Sequence, residues 1–165
     1  MNHFTPGLPP HGLQLPAVPT NLTSENAKDR TTAPVRILVI DDEREIRDIV
    51  TGLLRGAGYQ VDTANDGAAG WAALCANPYD LLITDHMMPK ITGLELLRQV
   101  RAVPLSLPCL LISGQPPWDE DDLASLVQPG AVVPKPFGLM DLLAKTRELL
   151  SGDPARQSIA TATPP

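Results

Sequence analysis

Apolar residues fall along this chain in short blocks, and the blocks alternate between two spacings. Val35 to Ile40 (VRILVI) is a β-branched run of the kind a strand buried on both faces shows. Asp42 and Glu43 then open a helix, acidic residues being favoured in a first turn. Ile46, Ile49, Val50, Leu53, Leu54 and Ala57 recur at helical spacing, and Gly58 can close the helix. Tyr59 to Ala64 is a second strand, Asn65-Asp66-Gly67 a turn, and Ala68 to Ala76 an alanine-rich helix with Trp71 and Leu74 as bulk. Asp80 to Thr84 is a third strand. After the loop containing Pro89, Thr92 can cap a helix from Gly93 to about Arg101. Cys109 to Ser113 is a fourth strand. Asp119 can cap a short helix with Glu120, Asp121 and Asp122 in its first turn. Ala131 to Val133 is a very short fifth strand. The last helix spans about Gly138 to Leu150, with Leu139, Leu142, Leu143, Thr146, Leu149 and Leu150 inward.

Five strands alternating with five helices imply an α/β domain, a parallel sheet with helices on both faces. Right-handed crossovers leave few topologies, of which the flavodoxin-like strand order 2-1-3-4-5 is the expected one. Residues 1–33, broken by Pro6, Pro9, Pro10, Pro16 and Pro19, keep neither spacing and read as a disordered tail; residues 151–165 read the same way. The expected domain is therefore 34–150.

Composition narrows the function. A formal charge of −6 argues against a nucleic-acid footprint, which is usually basic. Cys75 and Cys109 fit neither a disulfide framework nor a metal cluster. The start MNHFTPGLPP is not a signal peptide, and no apolar run approaches the roughly 18 residues a membrane helix needs. A soluble, cytoplasmic protein is the expectation.

The chemistry collects where the strands end. Strand one runs into Asp41-Asp42, strand three into Asp85, strand four into Ser113 and strand five into Lys135. In an open parallel sheet these positions share the carboxyl edge, where ligands bind. Crowded carboxylates repel unless a cation lies among them, and Mg²⁺ suits such a place because it takes few carboxylates and keeps waters. An aspartate oxygen can attack phosphorus, and phosphoryl transfer needs placement and neutralisation more than covalent chemistry. His86 is read as a loop side chain, and the G-x-S-x-G elbow of a serine hydrolase is missing.

ILVIDDE, LLITDHMMPKITGLELL, LLISG and the Lys-Pro-Phe at 135–137, in this order, resemble a response regulator receiver domain of bacterial two-component signalling. The resemblance covers about Val35 to Leu150. It implies Asp85 as the phosphorylated residue, Asp42 as principal metal-binding acid with Asp41 assisting, and the Met87 carbonyl as a further Mg²⁺ ligand. Ser113 would be the hydroxyl that turns toward the phosphoryl group and Lys135 its counter-charge, with the Lys135–Pro136 bond cis. The implied donor is a histidine kinase or histidine phosphotransfer protein, docking on the first helix near Ile46. The face of the fourth helix, fifth strand and fifth helix would carry output contacts or a homodimer. With no output segment recognised after Leu150, a stand-alone regulator signalling by protein contacts or phosphorelay is the leading expectation. A receiver-fold binding module acting without phosphorylation, and a Mg²⁺-dependent phosphohydrolase, are the competing ones.

The chain departs from the family pattern in places. Val132 stands three residues before the lysine, where Tyr or Phe is usual, and Gly130-Ala131 lies closer to it than the usual Gly-Ala. Pro116, Pro117 and Pro134 stiffen the surrounding loops. Met87 and Gln115 flank the path an attacking water would take, and a thioether orients water poorly, so slow self-dephosphorylation is expected.

Overall fold

The computed structural model describes residues 34–103, 106–117 and 120–152. Its elements are β1 (Arg36–Ile40), α1 (Arg44–Gly56), β2 (Gln60–Ala64), α2 (Gly67–Ala76), β3 (Leu81–Asp85), α3 (Gly93–Arg101), β4 (Cys109–Ser113), α4 (Leu123–Val127), β5 (Gly130–Pro134) and α5 (Leu139–Ser151). The sheet is parallel throughout, in the order β2-β1-β3-β4-β5. That is the flavodoxin-like arrangement the alternating blocks predict. The expected first tail, the expected second tail from residue 153 onward and the expected cap at Asp119 lie outside the described residues, whereas Ser151, expected to begin the second tail, ends α5.

Every residue of β3 and β4 is buried, which is why these strands read as unbroken apolar runs. Successive side chains point to opposite faces. Leu38, Ile40, Leu82, Cys109 and Leu111 therefore pack on one side with Leu74 of α2, Leu94 and Leu97 of α3, and Leu126 of α4. Ile37, Val39, Leu81, Ile83, Leu110 and Ile112 pack on the other with Val50 and Leu54 of α1 and Leu142, Leu143 and Leu150 of α5. The two cysteines are unpaired, with Cys109 fully buried.

Caps set the helix starts near the carboxyl edge. Asp66 accepts from the Ala69 N–H at 2.8 Å to begin α2. Thr92 and Glu95 form a reciprocal capping box that begins α3, with bonds of 3.2 and 2.8 Å.

Three details differ from the sequence reading. Ile49 is 53% exposed, because one residue along a helix from buried Val50 is about 100° around it. Leu139, in the first turn of α5 where the chain has just left the end of β5, is 41% exposed. The short helix α4 begins only after Asp122, which makes no side-chain cap bond. The Arg98 guanidinium holds the carboxylates of Asp122 (3.1 Å) and Glu120 (2.8 Å) instead, so these acids tie α3 to the approach of α4.

Candidate functional site

Register lines up the carboxyl ends of three central strands. Ile40 of β1 pairs with Thr84 of β3, and Asp85 pairs with Ile112 of β4. Asp41, one step beyond Ile40, thus lies level with Asp85. Ser113 pairs with Pro134, and the Lys135 N–H donates to the Ser113 carbonyl at 2.7 Å. Lys135 lies one residue past the end of β5, so its long side chain can reach back along the edge. The Lys135–Pro136 bond is cis, as is Gln128–Pro129.

The lysine does reach back. Its Nζ stands 2.6 Å from Asp85 Oδ1, 3.3 Å from Asp41 Oδ2 and 3.4 Å from Glu43 Oε1, and its side chain is only 18% exposed. Both aspartates are buried. The second oxygen of each is also held: the Met87 N–H donates to Asp85 Oδ2 at 2.6 Å and the Glu43 N–H to Asp41 Oδ1 at 2.8 Å. Arg47 Nη1 donates to the Asp41 carbonyl at 2.5 Å and fixes the chain between β1 and α1. Burial pushes the Asp41 carboxyl above its ordinary range against the pull of Lys135 and the Glu43 N–H, with the negative Asp85 adding to the rise. Burial works the other way on Lys135, but the hydrogen bond and charge of Asp85, with the charge of Asp41, outweigh it and leave the ammonium harder to deprotonate than usual.

The remaining sequence-predicted residues stand around this core. Asp42 is exposed, one residue past Asp41. The Met87 side chain is exposed while its backbone sits against Asp85. Ser113 is buried, with its hydroxyl accepting from the Gln115 N–H at 3.1 Å and no hydrogen bond to Asp85 or Lys135 among the described residues. Among the described residues His86 makes only backbone hydrogen bonds, donating its N–H to the Ile112 carbonyl at 2.8 Å. Glu43 and Arg47 are not among the residues the strand ends point to. Glu43 lies inside the quoted ILVIDDE motif, whereas nothing local in the sequence marks Arg47.

Two buried carboxylates share one ammonium, so the pocket keeps excess negative charge made of hard oxygen atoms. Among the described residues no three His, Cys, Asp or Glu side chains are grouped to hold a metal ion by themselves. Mg²⁺ asks for less, being bound by one or two carboxylates with waters and phosphate oxygens. Asp41 and Asp85, with a backbone carbonyl and exposed Asp42 nearby, fit that demand.

Comparison with known proteins agrees with this geometry. The family model for the response regulator receiver domain matches residues 37–147. The chain belongs to the response regulator receiver domain family. Response regulator MprA of Mycobacterium sp. strain KMS is 38% identical over 117 residues, covering 71% of this chain and 51% of the relative. MprA of Mycobacterium leprae is 36% identical over 129 residues. The chain spans about half the length of the curated relatives it matches. Among solved structures, response regulator TrrA of Thermotoga maritima, in complex with Mg²⁺–BeF, has a TM-score of 0.64 and 31% identity, over 70% of this chain and 98% of that one. The chemotaxis protein CheY4 of Vibrio cholerae has a TM-score of 0.65 and 29% identity, over 71% and 99%.

Receiver domains accept phosphoryl groups from histidine kinases on an aspartate and typically bind Mg²⁺ at that place. In this receiver domain Val132 is half-buried against the α4 side of the core. Beside it a pocket of about 380 Å³ is lined by Leu123, Ala124, Val127, Ala131 and Val132, with Glu120 and Asp121 also on its wall. Gly130 opens β5 directly: a Cβ there would stand 1.9 Å from the Cys109 carbonyl oxygen, so the shortened turn admits no other residue without movement.

Proposed function

We propose that this receiver domain is phosphorylated on Asp85 by a phosphohistidine of a histidine kinase or histidine phosphotransfer protein, and signals through protein contacts or phosphorelay. The observation that carries this reading is the buried Asp85 carboxylate with the Lys135 ammonium at 2.6 Å. An Asp85 oxygen attacks phosphorus in line with the leaving imidazole. The P–N bond breaks, its electron pair returns to the imidazole nitrogen, and that nitrogen takes up a proton. Lys135 neutralises one oxygen of the arriving phosphoryl group and then of the acyl phosphate. Asp41, Asp42, Asp85 and the Met87 carbonyl would hold Mg²⁺, which supplies the remaining charge neutralisation when bound. Ser113, released from Gln115, would donate its hydroxyl to the product.

Ile46 and exposed Ile49 on α1 offer the donor an apolar contact beside the site. The face of α4, β5 and α5 is assigned to output or a homodimer. The formal charge of −6 speaks against a nucleic-acid surface on this domain itself. No helix among the described residues is long and apolar enough to cross a membrane.

The test is intact-mass spectrometry after incubation with acetyl phosphate, with and without Mg²⁺. One phosphoryl adduct is expected on the wild type with Mg²⁺, and none on Asp85→Asn or in excess chelator. An adduct that survives Asp85→Asn rules the assignment out. Because the Met87 thioether orients water poorly, the adduct should persist for minutes or longer. Met87→Asn, which places an amide by that path, should shorten its life by about tenfold.

A further inference from the structure

The loop between β3 and α3 brings Met87 to the Asp85 carboxylate, and it is held at both ends. The Gly93 N–H donates to the His86 carbonyl at 2.9 Å, and the Ile91 N–H to the Pro89 carbonyl at 2.9 Å. Between these bonds Lys90 has a φ of 70°, the only left-handed non-glycine among the described residues. That conformation is unfavourable for a lysine, and it persists only where the surroundings impose it.

What imposes it lies on the neighbouring helix. The Lys90 ammonium donates to Asp66 Oδ2 at 2.5 Å, and the Asp66 side chain is 7% exposed. The other oxygen of Asp66 is the cap of α2. Beside this pair, Gly67 meets the loop so closely that a Cβ on it would stand 2.3 Å from the Ile91 carbonyl oxygen. The loop is thus fastened to the start of α2 at two adjoining points. An ordinary surface ion pair contributes little, because water screens both partners. Here one partner is buried and already fixed as a helix cap, and the other belongs to a strained backbone, so the bond holds a shape rather than merely joining two charges.

We propose that the Asp66–Lys90 ion pair is a positioning device for phosphoryl acceptance, holding the β3–α3 loop against α2 so that the Met87 backbone stays at the Asp85 carboxylate. Neither residue touches the reacting atoms; both act through the loop. The inference rests on phosphorylation of Asp85 as proposed above. It extends the site by one ion pair that ties the loop carrying Met87 to the start of α2.

A double-mutant cycle tests it with Lys90→Met, Asp66→Asn (which keeps an oxygen for the α2 cap), the double variant, and Lys90→Arg. Two quantities are read: the Mg²⁺ midpoint of thermal stabilisation without phosphodonor, and the initial rate of adduct formation with acetyl phosphate. Each single variant should raise the midpoint and slow the reaction by about threefold or more, the double should be no worse than the weaker single, and Lys90→Arg should match wild type. Midpoints and rates within about twofold of wild type, despite a lowered melting temperature, overturn the positioning role, as do single effects that multiply in the double. Wild type that takes no phosphoryl group overturns the underlying assignment of Asp85 and this inference with it. Wild type that takes one beside unresponsive variants overturns this inference alone.

Discussion

Lys135 balances two buried carboxylates, and that single charge sets much of the local energetics. Removing it leaves Asp41 and Asp85 facing each other without compensation, which is far costlier than losing a surface pair. Lys135→Met should lower unfolding stability by about 3 kcal/mol in urea melts at neutral pH, and added Mg²⁺ should restore part of the loss. A variant as stable as wild type would show that the ammonium is not the counter-charge. Elsewhere a polar atom is wasted. The Thr146 hydroxyl is fully buried and has no hydrogen-bond partner among the described residues. Thr146→Val keeps the shape and removes the buried hydroxyl, so denaturant melts should show a gain of about 1 kcal/mol.

At the level of the elements, two glycines in helices have opposite meanings. Gly52, inside α1, has open space where a side chain would go, so Gly52→Ala should stabilise by about 0.5–1 kcal/mol through helix propensity alone. Gly93 begins α3 with its Cα against the end of β3: a Cβ would stand 2.3 Å from the Asp85 carbonyl oxygen. Gly93→Ala should cost at least about 1 kcal/mol in the same melts and disturb the loop that carries Met87. The caps also predict an acid response. The Lys90 and Ala69 hydrogen bonds hold the Asp66 carboxyl below its ordinary value of 3.8. Its contribution is therefore present above that value and lost as the pH falls through the lowered one. Wild type should lose stability there more steeply than Asp66→Asn, as melts across that window would show. Helix starts at Thr92 and strand runs such as CLLIS were legible in the sequence because they depend on neighbours in the chain. The start of α4 was not, since Arg98 of a different helix claims Glu120 and Asp122, two of the acids expected in its first turn. Ile49 misled for a related reason: helical spacing locates a stripe, whereas its width depends on how much the sheet and α5 cover.

For the molecule as a whole, the alternation of strands and helices determined both the sheet order and the edge where the chemistry lies. Asp85, Asp41 and Lys135 were readable because each ends a strand, and parallel strands bring their ends together. Glu43, Arg47 and the Asp66–Lys90 pair were harder to read, since their roles come from distances across the fold rather than spacing along the chain. The chain spans about half the length of its curated relatives, and the site lies within the domain they share. What everything at this edge turns on is the capture of phosphorus by one side chain. Reductive trapping tests this most directly: the Mg²⁺- and acetyl phosphate-treated protein is reduced with borohydride, which converts an aspartyl phosphate to homoserine, and the residue is located by peptide sequencing. Homoserine is expected at position 85 alone. Homoserine at position 41 or 42, or a phosphoryl group retained on His86, would rule out Asp85 as the acceptor.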